Sequence, residues 1–202
     1  MNPSTTVFRR HPMATFLSLA CLAGLMAGCS NEPKIAVESQ RTGGLWAVRV
    51  TSLAFKDGTT IPAKFTAEEK GISPPLRWSD EPPEARSTLI MVEDPDVSGR
   101  EPFVHWIVYN IPADVTQLPE GVFTHSTEHP AGATQGLNSL QELGYAPPQP
   151  PSTQKHRYYF EVFALDQKLD LPPGADKAEV LNAIHGKVLV LSKGALVGTV
   201  GG

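Results

Sequence analysis

Three short apolar runs, each enclosed by prolines and glycines, constrain this chain more than anything else in it. Leu89-Ile90-Met91-Val92, His105 to Ile111 and Arg157 to Leu165 are rich in β-branched and aromatic residues. Such runs between turn-forming clusters read as strands. Alternation puts His105, Ile107 and Tyr109 on one face of the second run and Trp106 and Val108 on the other. In the third, Tyr158, Phe160 and Val162 share the face that His156 begins. Weaker signals of the same kind predict strands over 46–53, 61–66, 188–191 and 195–200, with a turn at Lys56-Asp57-Gly58-Thr59. One helix is predicted, near 176–185. Asp176 is its N-cap, Glu179 three residues on completes a capping box, Ala178, Leu181, Ala183 and Ile184 form the apolar stripe, and Gly186 is the stop. Residues 112–151 show little periodicity, and a stretch that long is functional or hides short elements. The fold class is mainly β.

The N-terminal segment reads as an address rather than as structure. Arg9, Arg10 and His11 precede an uncharged stretch from Pro12 to Gly28, the charged and apolar regions of a secretory signal. Leu25-Met26-Ala27-Gly28-Cys29 resembles the bacterial lipobox, with Met26 where leucine is usual. That implies a signal peptide over 1–28, a palmitate-bearing lipoprotein acylated at Cys29, a polar tether over 29–44 and a single domain over 45–202. The competing reading is an ordinary cleaved signal. Ser30 after Cys29, rather than aspartate, favours the periplasmic face of the outer membrane in a Gram-negative host. Without Arg9 and Arg10 the chain has 15 Lys and Arg against 21 Asp and Glu, a net charge of −6. Such a balance argues against nucleic-acid binding, which needs a clustered basic surface. Cys21 leaves with the signal, so an acylated Cys29 leaves no thiol for a disulfide.

Chemistry gathers at two loop-to-strand junctions. In the first, Asp94-Pro95-Asp96 leads through Gly99 to Phe103 and His105-Trp106. One reading makes Asp94, Asp96 and His105 a polar pocket at the mouth of a sheet. The other makes the aspartates caps for backbone N–H groups in an Asx-type turn, beside a core histidine. In the second, Gly144-Tyr145-Ala146-Pro147-Pro148-Gln149-Pro150-Pro151 runs toward His156-Arg157-Tyr158. A proline loop makes a stiff pocket wall because φ is fixed and N–H donors are missing; the alternative is a plain connector. Ser139 has no nucleophile elbow around it, and His125, His129 and His185 fit no ligand spacing.

Together these stretches resemble the phosphatidylethanolamine-binding protein (PEBP) family, in its bacterial Raf-kinase-inhibitor-like branch. The resemblance is carried by Ser73-Pro74-Pro75-Leu76-Arg77-Trp78, Asp94-Pro95-Asp96, His105-Trp106, Gly136-Leu137-Asn138-Ser139, Gly144-Tyr145, Pro150-Pro151, His156-Arg157-Tyr158, Leu171-Pro172-Pro173-Gly174-Ala175 and Leu196-Val197-Gly198-Thr199. It spans about Leu45 to Val200. It implies an antiparallel two-sheet β-sandwich-like fold with few helices. It also implies a pocket for phosphate or a phospholipid headgroup, formed by Asp94, Asp96, His105, Pro150, Pro151, His156 and Tyr158, with Phe103 as an aromatic wall and Tyr145 in the second loop. No cofactor is implied. Family analogues that inhibit kinases or proteases imply a protein partner, and dimeric bacterial relatives imply a homodimer. The chain departs from the family pattern at Phe103, where tryptophan is common, in the Ala146–Pro151 run, where Gly-Pro-Cys-Pro-Pro is usual, and near Thr153, where glycine is usual.

A different class of function fits the same residues. Asp94, His105 and His156 are the residue types of a two-histidine, one-carboxylate metal site, which would make the protein a metal-dependent hydrolase. No HExxH or HxH spacing accompanies them. The expectation from the resemblance is a non-enzymatic binding protein.

Overall fold

The computed structural model describes residues 47–122, 132–151 and 153–202. The expected signal peptide, Cys29 and the expected tether lie outside the described residues, as do Leu45, Trp46, His125 and His129. The described chain forms strands β1 (Arg49–Thr51), β2 (Thr59–Thr60), β3 (Leu76–Ser79), β4 (Ser87–Asp94), β5 (Phe103–Pro112), β6 (Gln117–Leu118), β7 (Thr134–Gln135), β8 (His156–Leu165) and β9 (Val190–Val200), and helix α1 (Lys177–Lys187). Six strands make one sheet in the order β2-β9-β8-β4-β5-β7, and three make a second in the order β1-β3-β6. Pairing is antiparallel except between β2 and β9. The expected mainly β, two-sheet architecture with a single helix among the described residues is what forms.

Two apolar layers hold it together. Between the sheets, Val50, Leu76 and Trp78 of the small sheet meet Ile90, Val92, Trp106, Phe160 and Val162 of the large one. On the other face of the large sheet, Val180 and Ile184 of α1 cover Leu89, Met91, Ile107 and Phe163. β4 is thus enclosed on both sides, and all eight of its residues are buried. That explains why its centre, Leu89 to Val92, is an unbroken apolar run rather than an alternating one. Each such side chain, fully buried, contributes about 1.5–3 kcal/mol.

Helix α1 starts as its sequence predicts. Glu179 N–H donates to Asp176 Oδ1 and Asp176 N–H to Glu179 Oε2, both at 2.9 Å. Replacing Asp176 by alanine orphans a helix donor and is expected to cost about 1 kcal/mol, read as a lower urea midpoint. The helix passes through Gly186 and ends at Lys187, so Gly186 is not its stop.

Other expectations are corrected. The first strand is only Arg49–Thr51 among the described residues. Residues 61–66 are not a strand. β2 stops at Thr60, and Pro62, with no N–H to offer a ladder, opens a 3-10 turn over Ala63–Phe65. The two predicted C-terminal strands are one, because Gly194 lies inside β9 and does not break it. The long unpatterned stretch contains β6, β7 and an isolated bridge between Leu137 and Leu143. The alternation expected along β5 fails at its start: Val92 pairs with Trp106 but Glu93 pairs with Val104, which leaves His105 as an extra residue. Such a bulge turns two successive side chains the same way. Val104 and Ile107 lie on the α1 side, Trp106 between the sheets. His105 therefore leaves the face of Ile107 and Tyr109 and stacks on Tyr158 instead.

Candidate functional site

Three neighbouring strands bring the two junctions together. β4 ends at Asp94, β5 opposite it begins with Phe103, and β8, on the other side of β4, begins with His156. Asp94 is 2 % exposed and both histidines 5 %. Asp94 Oδ1 accepts the Asp96 backbone N–H at 2.8 Å, and Oδ2 accepts His156 Nδ1–H at 2.7 Å. The Asx turn and the polar pocket, opposed readings in the sequence, are one arrangement, with one carboxylate oxygen for each. The bond also orients His156, whose Nε2 lies 3.4 Å from Gln154 Oε1.

His105 is held by the second loop. Its Nδ1 donates to the Ala146 carbonyl at 2.7 Å, and the Ala146 N–H donates back to the His105 carbonyl at 2.8 Å. The proton is thereby fixed on Nδ1, which leaves Nε2 to the cavity. Burial pushes this imidazole below its ordinary 6.5, and the His156 charge adds to that; the Ala146 carbonyl and Asp94 act in the opposite direction. His105 is therefore neutral near pH 7, not half-charged near 6.5 as in a free peptide. Its ring packs between Phe103, at 4.7 Å between centroids, and Tyr158, at 5.1 Å. The Tyr158 hydroxyl is buried without a hydrogen-bond partner. Burial, and then the nearby Asp94 carboxylate, push its ionisation upward, so it stays protonated near neutral pH.

These groups line a cavity of about 490 Å³. Asp94, His105, His156 and Tyr158 make its polar side; Phe103, Pro150 and Pro151 are also on its wall. Two expected site residues are not. Asp96 turns away to Arg157, taking Nη2–H on Oδ1 at 2.6 Å and both Nε–H and the backbone N–H on Oδ2, at 2.9 and 2.8 Å. The guanidinium holds its carboxyl below the usual range. The fork ties the aspartate turn to the start of β8. Tyr145 braces the loop from behind, its hydroxyl donating to the Phe65 carbonyl at 3.1 Å and its ring standing edge-on to Trp106. Ser139 is structural: its Oγ accepts the Val104 N–H.

The wall also includes residues that sequence reasoning missed: Val97, Ser98, Leu140, Ala146, Pro147, Gln149 and Gln154. Most sit in the two loops already singled out, so loop membership was the available signal. Leu140 carried none; it is 56 % exposed at the cavity, at the end of a turn that Asn138 Oδ1 holds by accepting the N–H groups of Leu140 and Glu142. The metal triad expected of a hydrolase is not assembled. Among the described residues no three His, Cys, Asp or Glu side chains converge to hold an ion. Both Asp94 oxygens and one nitrogen of each histidine are already engaged.

Comparison with known proteins agrees with this fold. The family profile described as phosphatidylethanolamine-binding protein matches residues 51–200. A UPF0098 protein of Chlamydia trachomatis is 44 % identical over 156 residues, covering 75 % of this chain and 97 % of its own. Another, from Methanothermobacter thermautotrophicus, is 45 % identical over 136 residues, covering 67 % and 88 %. Among solved structures, the PEBP homologue CT736 of Chlamydia trachomatis superposes with a TM-score of 0.67 at 44 % identity, over 77 % of this chain and 98 % of that one. E. coli YbcL, described as a new member of the mammalian PEBP family, gives 0.68 at 28 % identity, over 76 % and 98 %.

Proposed function

Since the chain belongs to the phosphatidylethanolamine-binding protein family, we propose that it is a non-enzymatic binding protein whose cavity accepts a phosphate group, free or at the head of a phospholipid. The observation that carries this reading is the Asp94–His156 bond at 2.7 Å. A carboxylate beside an anion site is otherwise a liability. Here it accepts the Nδ1–H of His156 and so turns Nε2 toward the cavity, where that nitrogen donates to an anion when the imidazole is protonated. The Tyr158 hydroxyl is a second, unpartnered donor. Anion recognition needs such donors in a shaped, dry pocket.

Calorimetric titration of residues 45–202 with inorganic phosphate and with phosphoethanolamine tests the proposal. Both are expected to bind, and the double substitution His105→Ala/His156→Ala is expected to weaken binding more than tenfold, about 1.4 kcal/mol or more. Tighter binding of phosphoethanolamine would identify the headgroup. A double variant that binds as the parent does would overturn the reading. Sulfate, whose charge is constant, separates out the histidine contribution. Because burial lowers the His105 pKa, its charge appears only at the acid end, so sulfate affinity should rise as pH falls from about 8 to 5.

The Met26-to-Cys29 segment supports placing this domain on an envelope membrane through acylated Cys29. Radiolabelled palmitate should enter the full chain and not its Cys29→Ala variant. Kinase- or protease-directed partners and a homodimer remain part of the same proposal, supported by family resemblance alone.

A further inference from the structure

We propose that Gly201 is a positioning residue for the anion cavity, setting where the wall formed by Pro150, Pro151 and Gln154 stands. The inference rests on the reading of that cavity as an anion site. The wall is a thin partition. Gln149 and Pro150 line the anion cavity on one side and a second cavity, of about 330 Å³, on the other. The second cavity is bounded by Ala67, Glu68, Pro148 and the Val200–Gly202 segment. A partition between two cavities holds its place only if it is braced from behind, because proline fixes φ at each step but not the position of the whole segment.

Three braces are visible. Gly71, at φ +62°, stands behind Pro147, where a Cβ would come within 3.1 Å of the proline ring. The Pro148 carbonyl accepts the Ala67 N–H at 3.0 Å. The third brace is Gly201, at φ +86°. A Cβ there would lie 2.2 Å from the Gln154 carbonyl oxygen and 3.2 Å from Pro150 Cγ. Only glycine tolerates both that φ and that approach. The contact leads directly to the cavity. The Gln154 N–H closes a turn on the Pro151 carbonyl at 3.0 Å, and its side chain reaches His156 Nε2. β9 delivers the brace to this point, since Val200 pairs with His156. A shift at Gly201 therefore passes to Gln154 and then to the imidazole nitrogen that faces the cavity.

The test compares Gly201→Ala with Gly174→Ala. Gly174 has nearly the same φ, +85°, but nothing within 4 Å of a Cβ, so it carries the backbone strain without the contact. Two quantities are read: the dissociation constant for inorganic phosphate, and the Nε2 resonance of His156 by nitrogen-detected NMR. Gly201→Ala is expected to weaken phosphate about tenfold and to shift the His156 resonance, while Gly174→Ala changes neither. Should Gly201→Ala fail to fold, removal of Gly201 and Gly202 from the otherwise full chain withdraws the brace without adding a clash, and the same two changes are expected. Parent-like phosphate binding and an unmoved His156 resonance, or equal effects from Gly174→Ala, would overturn the proposal. If the parent chain binds no phosphate, the anion reading fails while the resonance still decides on the brace.

Discussion

Gly194→Ala is expected to destabilise the domain by several kcal/mol. A Cβ at this position in β9 would lie 1.7 Å from the Val48 carbonyl oxygen and 2.7 Å from its carbon. Neither partner can step aside. Val48 is 4 % exposed, belongs to the core between the sheets, and its N–H donates to the Lys193 carbonyl at 3.2 Å. Here the chain entering β1 crosses β9 backbone to backbone. Separating them would unpair that bond and open the core around Val48. Overpacking alone costs about 1–3 kcal/mol, and the lost hydrogen bond and packing add to it. Against a total stability of about 5–15 kcal/mol, the loss is severe. Gly186→Ala is the contrast. That glycine lies in α1 with nothing within 4 Å of a Cβ, so alanine there should stabilise by about 0.5–1 kcal/mol. Urea unfolding followed by circular dichroism reads both. A Gly194→Ala midpoint within error of the parent would show that the crossing is looser than the geometry implies.

Replacing Glu161 by glutamine is expected to remove most of the domain's loss of stability at alkaline pH. Glu161 is 2 % exposed in the middle of β8, and its Oε2 has no hydrogen-bond partner. Burial, and after it the charge of Glu93, push its carboxyl up to about 8; Lys193 and Lys177 pull it back. Glu93, also buried and also raised chiefly by burial, keeps an ion pair with Lys177 at 2.6 Å. The sign follows from the two states. In the unfolded chain the Glu161 carboxyl loses its proton near 4.5, whereas in the folded chain it keeps it to about 8. Across that window the native state binds the extra proton, so stability falls as pH rises and levels off above about 8. At about 1.4 kcal/mol per pH unit the full loss is on the order of 5 kcal/mol. Glutamine does not titrate, so the variant's stability should vary much less over the same range, with parent and variant converging toward pH 4. Parallel curves from pH 4 to 9 would refute the assignment. Lys193 is half-buried beside this carboxyl.

The parts of the fold visible in the sequence were those set by local chemistry. β4, β5 and β8 announced themselves because their residue types fit a pleated surface between turn formers, and α1 because Asp176 and Glu179 cap each other within one turn. What failed depended on distant partners. The β5 bulge arises from pairing with β4, and a period-2 reading has no means of placing an extra residue. The expected break between 191 and 195 did not form, and the reason β9 carries Gly194 there, Val48, is 146 residues upstream. The site divides in the same way. Its polar residues stood out by motif, and seven of the nine named side chains reach the cavity. Asp96 and Tyr145 do not, because Arg157 and Phe65 take their polar atoms. Gln154 and Leu140 had no distinguishing context; only the way loops fold over the strand ends puts them at the wall.

The enclosure of β4 has a consequence for how the cavity can adapt. Asp94 is the last residue of a strand flanked by β5 and β8 and buried along its whole length, the kind of element that belongs to the most stable part of a domain. The floor of the cavity therefore behaves as a fixed mould. A guest of different size finds give only in the loops that overhang it, and substitutions that retune its preferences without unsettling the domain belong in those loops rather than at Asp94.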